Sequence, residues 1–257
     1  MSPTMSWHSA GSVPDSMVWL KERFRELRVL ARQGLGIEPR IRRGMWPPLE
    51  YHGNSDGGWN IVAGSLSRDS VVVDVGLGED ASFSESIIRK YGCLVHGFDP
   101  TPRAIQYVQS LGNEHLRLFE LGLGAAAGAA PFFLPNNSAH VSGSVSRERH
   151  LGRQCITVQL VTIGQIFELL GCERIHLLKL DIEGTEYDVI QAPEFHEHAS
   201  AIDQLCVEFH HRWEGRGKAS TETAVNVLRS LGFECAWSCR TTNEEFLFVR
   251  RSCKALR

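Results

Sequence analysis

The sequence predicts an α/β fold: a mostly parallel sheet with helices on both faces, closed by a C-terminal antiparallel hairpin. Three observations carry this prediction. Apolar runs alternate with stretches of helical period between residues 71 and 231, the order expected when each crossover between parallel strands is a helix. Runs such as Val71-Val72-Val73 are β-branched at consecutive positions, as suits strands covered on both faces. The last two runs, 233–238 and 245–250, are joined only by Cys239-Arg240-Thr241-Thr242-Asn243-Glu244. So short a link cannot hold a crossover helix and makes a hairpin.

In chain order, Asp15 or Ser16 caps a helix that ends near Gly34. Met17, Leu20, Phe24, Leu27 and Ala31 line one face, with Lys21, Arg25, Arg28 and Arg32 on others. This basic amphipathic helix is expected to pack on the main domain with its charged face solvated; the alternative is contact with a partner or an anionic membrane surface. Residues 34–58 read as loop, with Pro39, Pro47, Pro48 and the run Gly53-Asn54-Ser55-Asp56-Gly57-Gly58. The chain therefore divides into an N-terminal helix and linker, 1–49, and a main domain, 50–257. Strands are expected at 71–75, 94–98, 116–120, 155–160, 175–181 and 203–209 before the hairpin, and helices at 83–91, 101–110, 162–170, 185–191 and 219–231. The Ala/Gly-rich stretch 125–130 is too short to link domains.

A chain of 257 residues, 42% hydrophobic and 22% charged, has the make-up of an ordinary globular protein. No apolar run approaches the roughly 20 residues needed to span a bilayer. Residues 1–14 lack the basic and apolar regions of a signal peptide. The seven cysteines are odd in number and form no CxxC pair, which points to reduced core thiols and a cytoplasmic setting. Net charge is −3, but residues 21–43 hold eight Lys/Arg against three Asp/Glu, leaving −8 elsewhere. That balance argues against a dedicated nucleic-acid binder.

The chemistry sits at the strand ends. Val71-Val72-Val73-Asp74-Val75 runs into Gly76-Leu77-Gly78-Glu79-Asp80, and a second strand ends in Asp99-Pro100. This βαβ unit has small residues where a nucleoside must approach the backbone and an acid where ribose hydroxyls would lie. Glu79 and Asp80 stand where a dinucleotide fingerprint would continue, and a pyrophosphate would meet two carboxylates there. S-adenosylmethionine, with a sulfonium and no phosphate, tolerates them. Asp74 is placed to reach its ammonium, directly or through water, and Asp99 its ribose hydroxyls. Asp99-Pro100 also reads as a helix start.

A later strand ends in Lys179-Leu180-Asp181-Ile182-Glu183-Gly184-Thr185-Glu186, with Asp181 and Glu183 on one face. The next ends in Glu208-Phe209-His210. Asp181, Glu183, Glu208 and His210 are expected to converge on one cleft. There a His or carboxylate can take a proton from an attacking hydroxyl, or the set can hold a divalent metal. Glu186 reads as an acid stabilising a helix N-terminus. The polar loop 136–150, with Asn136, Asn137, His140, Ser142, Ser144 and Arg147, is the expected acceptor wall.

These motifs resemble the FkbM family of S-adenosylmethionine-dependent methyltransferases. The carriers are residues 74–80, the segment Val95-His96-Gly97-Phe98-Asp99-Pro100-Thr101-Pro102, and Leu178 to Glu186, close to the family signature Lys-x-Asp-x-Glu-Gly-x-Glu. Gly57-Gly58-Trp59 and residues 137–144 look like a subgroup with eukaryotic methyltransferase-like members. The resemblance covers about residues 50–250 and implies a Rossmann-like class I methyltransferase fold with a mostly parallel seven-stranded sheet, and O-methylation of a small-molecule or glycan hydroxyl. Glu79-Asp80 departs from many members. Two other readings keep the same fold: a methyltransferase acting on nucleic acid or an amine, and a non-catalytic binding module. The first lacks an Asn/Asp-Pro-Pro-Tyr-like segment after its fourth strand, and the acidic cleft opposes a phosphate backbone.

Overall fold

The computed structural model describes residues 15–44, 48–135, 144, 151–213 and 215–252. Helix α1 (Asp15–Gly34) leads into a hairpin, β1 (Leu49–His52) and β2 (Trp59–Val62). Next come β3 (Val72–Val75), α2 (Ser82–Tyr91), β4 (Val95–Phe98), α3 (Pro102–Leu111) and β5 (Leu116–Phe119). The middle holds β6 (Gly122–Leu123), β7 (Gly128–Pro135), β8 (Leu151–Val161), α4 (Ile163–Leu170), β9 (Ile175–Leu180), α5 (Glu186–Gln191) and α6 (Pro193–His198). The chain ends with β10 (Ile202–Glu208), α7 (Lys218–Ser230), β11 (Phe233–Ser238) and β12 (Glu245–Arg250).

Seven strands form the main sheet in the order β11-β12-β10-β9-β3-β4-β5. Strands β3, β4, β5, β9 and β10 pair in parallel, and β12 runs against both its neighbours. The strands are apolar throughout because both faces are covered. Val73 and Val75 enter one core with Phe98, Leu178 and Val207, while Val72 enters the other with Val95, Leu177 and Leu247. Full burial of one such side chain stabilises by roughly 1.5–3 kcal/mol. Helix α4 starts on a capping box: the Thr162 side chain accepts from Gln165 N, and the Gln165 side chain accepts from Thr162 N.

Three local expectations change. The strand expected at 155–160 is part of β8, which leaves the main sheet for a smaller one of order β6-β8-β7. The stretch 125–130 leads into its β7 strand. The segment read as loop before residue 59 contains β1, paired antiparallel with β2 from Leu49↔Val62 to His52↔Trp59. The hairpin lies over one face of the main sheet, where Gln204 accepts from Val62 N at 2.9 Å. The third change is α1: Leu20, Phe24 and Leu27 remain 58–71% exposed, and Val29 is its one buried residue among those described. The helix is held by its polar side, with Gln33 donating to Pro39 O at 3.1 Å and Asn243 Oδ1 at 3.2 Å. Leu20, Phe24 and Leu27 of its apolar stripe do not pack on the domain. No helix among the described residues is long and apolar enough to cross a membrane.

Glu38 anchors this N-terminal segment. It is 1% exposed and accepts from Arg32 Nε at 3.0 Å, His211 Nε2 at 2.8 Å, Arg212 Nε at 3.0 Å and Asn243 Nδ2 at 3.0 Å. Burial opposes its charge, but the hydrogen bonds from Asn243, Arg212 and His211 outweigh it and hold the carboxyl down at about 2. A carboxyl lowered on folding adds stability above its unfolded value, lost as pH falls through the folded one. Glu38→Gln is therefore expected to cost about 3 kcal/mol at neutral pH. Urea midpoints of variant and parent should converge between about pH 4.5 and 2. A gap independent of pH would contradict this role.

Candidate active site

Strands β3, β4 and β9 end at one edge of the sheet, the edge where open α/β sheets bind ligands. A cavity of about 320 Å³ opens there, lined by the turn after β3, the ends of β4 and β9, and Phe132 and Leu160 of the smaller sheet. Five of the residues expected to hold a cofactor, Gly76, Gly78, Glu79, Asp99 and Pro100, line it. Gly76 is required by the backbone: its φ is 82°, and a Cβ there would run into the carbonyl oxygen of Asp181. That close approach brings the β3 turn and the β9 tip together.

Asp99 is 5% exposed and shapes the turn as well as the cavity. Its Oδ2 accepts from Gly78 N at 3.0 Å, and its Oδ1 from Thr101 N at 2.9 Å and Thr101 Oγ1 at 2.6 Å. Glu79 pairs with Arg103. Asp80 Oδ1 accepts from Ser82 N at 2.8 Å at the start of α2, and Oδ2 accepts from Asn54 Nδ2 at 2.8 Å. Burial opposes ionisation of Asp80, but the Ser82 and Asn54 hydrogen bonds prevail and keep its carboxyl below the usual value. Asp80 thus clamps the 54–57 turn beside the cavity and brings Asp56 to its wall.

Asp74, expected to reach the cofactor's ammonium, does not line the cavity. It is 1% exposed, lies outside the cavity lining, and both its oxygens are engaged: Oδ1 by Lys179 Nζ at 3.0 Å, Oδ2 by Ser84 Oγ at 2.6 Å. Parallel pairing sets Asp74 beside Lys179, and Trp59 of β2 covers the ammonium, its ring centroid 5.9 Å away. Burial pulls Lys179 toward neutrality, but Asp74 and Asp181 outweigh it and hold the charge. Asp74 is therefore a buried ion-pair partner behind the cavity wall.

The four residues expected to share a cleft do come together, but Glu208 and His210 lie outside the cavity lining. Asp181 and Glu183 reach the cavity wall, and His210 Nε2 lies 3.1 Å from Glu183 Oε2 and 4.0 Å from Glu208 Oε1. Glu183 holds a φ of 52°, unusual for a residue with a side chain. The residue not expected in this role is Glu186. Fully buried, its Oε1 accepts from His210 N at 3.0 Å and sits 3.1 Å from His210 Nδ1, while Oε2 accepts from Gly184 N at 2.8 Å. The signal was Gly184: a glycine before the helix lets its first acid fold back. Burial pulls His210 down, but hydrogen bonds to Glu183 and Glu186 raise it well above its usual value, so it holds its proton and is a poor base. Burial and Glu183 push Asp181 up to about 6 against the pull of Lys179, and Asp181 is hydrogen-bonded to Glu208. Burial and Asp181 raise Glu208 well above the carboxylate range.

Loop 136–150 lies outside the described residues except Ser144, whose Oγ donates to Glu183 O at 2.6 Å. The cavity lining has six carboxylates (Asp56, Glu79, Asp80, Asp99, Asp181 and Glu183) and no Lys, Arg or His among the described residues. Such a wall repels a pyrophosphate and suits a cation. Leu77, Phe98 and Ile182 supply apolar surface beside it.

A family model described as the methyltransferase FkbM domain matches residues 56–235. Probable methyltransferase-like protein 24 of Rattus norvegicus is 27% identical over 151 residues, 59% of this chain and 36% of the relative. Its Homo sapiens namesake is 24% identical over 170 residues, 66% of this chain and 40% of the relative. Methyltransferase 1 of Beauveria bassiana (strain ARSEF 2860) is 27% identical over 190 residues, 65% of this chain and 74% of the relative. The chain thus spans well under half the length of the two mammalian relatives it matches. Among solved structures, a fibrillarin pre-rRNA processing protein of Methanococcus jannaschii is similar at a TM-score of 0.43 and 10% identity, over 72% of this chain and 67% of that one.

Proposed function

The chain belongs to the FkbM methyltransferase family, and from that premise we propose that it uses S-adenosylmethionine to methylate a hydroxyl of a small molecule or sugar. The observation that carries the cofactor is the cavity at the β3 and β4 tips, with six carboxylates and no basic side chain among its described lining residues. Its charge suits a sulfonium and an ammonium, and opposes the phosphates of NAD or a nucleic acid. Asp99 would hold the ribose hydroxyls, the Gly76–Gly78 turn would let the ligand approach the backbone, and Leu77 and Phe98 would meet the adenine. When bound, S-adenosylmethionine supplies a methyl group that moves to the acceptor oxygen while the electron pair of the broken C–S bond goes to sulfur.

The chain's own part is to align the acceptor and remove its proton. A hydroxyl oxygen is a weak nucleophile until that proton leaves. Asp181 lines the cavity, backed by its hydrogen bond to Glu208, and with both carboxyls raised this pair would take the proton. His210, charged between Glu183 and Glu186, positions those acids.

Asp99→Ala is expected to weaken S-adenosylmethionine binding by roughly 10–100-fold, the worth of hydrogen bonds to a charged acceptor. Calorimetric titration reads this, with circular dichroism confirming the fold. Unchanged affinity would remove Asp99 from the cofactor site. His210→Ala is expected mainly to lower turnover. Labelled methyl transfer into a cell extract, with mass spectrometry of the product, tests the acceptor. Label in an ether supports the reading, whereas label on nitrogen or only in nucleic acid overturns it.

A further inference from the structure

We propose that Asp181, Glu183 and His210 form a divalent-cation site oriented by Glu186. One ligand atom from each of the three lies within 4.8 Å of the other two. Around an octahedral ion with bonds of about 2.1 Å, adjacent ligand atoms stand about 3.0 Å apart. His210 Nε2 and Glu183 Oε2, at 3.1 Å, have that spacing.

The independent observation lies on the far side of the imidazole. Glu186 is fully buried and pinned by Gly184 N and His210 N, and it meets His210 Nδ1 at 3.1 Å. An ion binding here displaces the Nε2 proton that His210 otherwise carries, while the carboxylate held there keeps the other proton on Nδ1 and leaves the Nε2 lone pair directed at Glu183 and Asp181. Histidine ligates metals in this arrangement. Charge points the same way. Asp181, Glu183, Glu186 and Glu208 surround one imidazole, and the neighbouring cation, Lys179, is 3.9 Å from Asp181 but closer, at 3.0 Å, to Asp74. Beyond them Glu245 adds a further carboxylate, opposite Glu208 on β12. A divalent ion on Nε2 supplies the compensation that buried carboxylates need. One imidazole with two carboxylates suits Mn2+ and its first-row neighbours better than Ca2+, whose sites are built of oxygens alone.

Asp181 and Glu183 belong to the cavity wall, so the remaining coordination positions face the cavity. Their use by an acceptor oxygen rests on the methyltransferase reading; the binding of the ion does not.

The test is a Mn2+ titration of the chelator-stripped full chain, read by loss of the free-ion electron paramagnetic resonance signal. S-adenosylmethionine is titrated calorimetrically into the same sample. The expected result is one Mn2+ per chain, with spin-echo modulation from a directly bound nitrogen that vanishes in His210→Ala. Glu186→Gln should weaken Mn2+ by roughly 10–100-fold, the usual effect of losing an orienting carboxylate. Should that variant not fold, Glu183→Gln carries the same expectation. Binding without nitrogen modulation, or equal affinity in His210→Ala, overturns the proposal, since surface acids would then account for the ion. S-adenosylmethionine binding without Mn2+ overturns the metal site alone. Mn2+ binding without S-adenosylmethionine supports the metal site and overturns the methyltransferase reading.

Discussion

Gly76→Ala is expected to lower stability by about 4 kcal/mol or more and to abolish S-adenosylmethionine binding. Two costs add at this position. The backbone has a φ of 82°, which an L side chain tolerates poorly, and the new Cβ would strike the Asp181 carbonyl oxygen. The obstacle is backbone at the tip of β9, so no rotamer change relieves it, and either the β3 turn or the β9 tip must move. Both line the cavity, so binding should fail along with stability. For a chain of this size the loss corresponds to a melting temperature lower by roughly 8–16 °C. Gly64→Ala is the control: its φ is 66°, but nothing lies within 4 Å of the added Cβ. It should cost only about 1 kcal/mol. Equal melting temperatures for the two variants would show that the close approach at Gly76 carries no weight.

Lys179→Met is expected to be nearly as costly, about 3–5 kcal/mol, because it leaves Asp74 charged, buried and without its ammonium. The side chains are 7% and 1% exposed, so water cannot replace the lost partner. Removing both charges in Asp74→Val/Lys179→Met should recover much of the loss, since a buried pair and an apolar pair of similar volume are often close in stability. Urea denaturation of the three proteins reads this directly. The same set tests the role of Asp74: as an ion-pair partner, Asp74→Asn should lower the urea midpoint. If that variant keeps its midpoint and loses only S-adenosylmethionine affinity, Asp74 serves the cofactor after all.

Much of the fold was legible because its strands are buried on both faces and carry their own signal. The hairpin strands expected at 233–238 and 245–250 have those bounds in β11 and β12. The first hairpin was not legible. Its β1 strand reads Leu49-Glu50-Tyr51-His52, half polar and only four residues long, between prolines and a glycine-rich run that signal loop. Nor could the direction of α1 be read from its stripe. Periodicity locates an apolar face but does not say what meets it, and here Gln33 and Arg32 make the attachments.

The candidate site divides the same way. The strand-end motifs, taken alone, brought Gly76, Gly78, Asp99, Asp181 and Glu183 to one cavity wall, with Glu208 and His210 outside its lining, since parallel strands deliver their carboxyl ends to one edge. They also identified the family, through residues adjacent in the chain. Only the tertiary structure decided how the charges pair. Asp74 meets a lysine 105 positions away, and His210 meets Glu186 across 24 residues. Coulombic attraction and desolvation depend on distance in space and on exposure to water, and neither is written in the order of residues. The buried acid that seemed free for a ligand is therefore an ion-pair partner, and the acid that seemed only to start a helix orients the histidine.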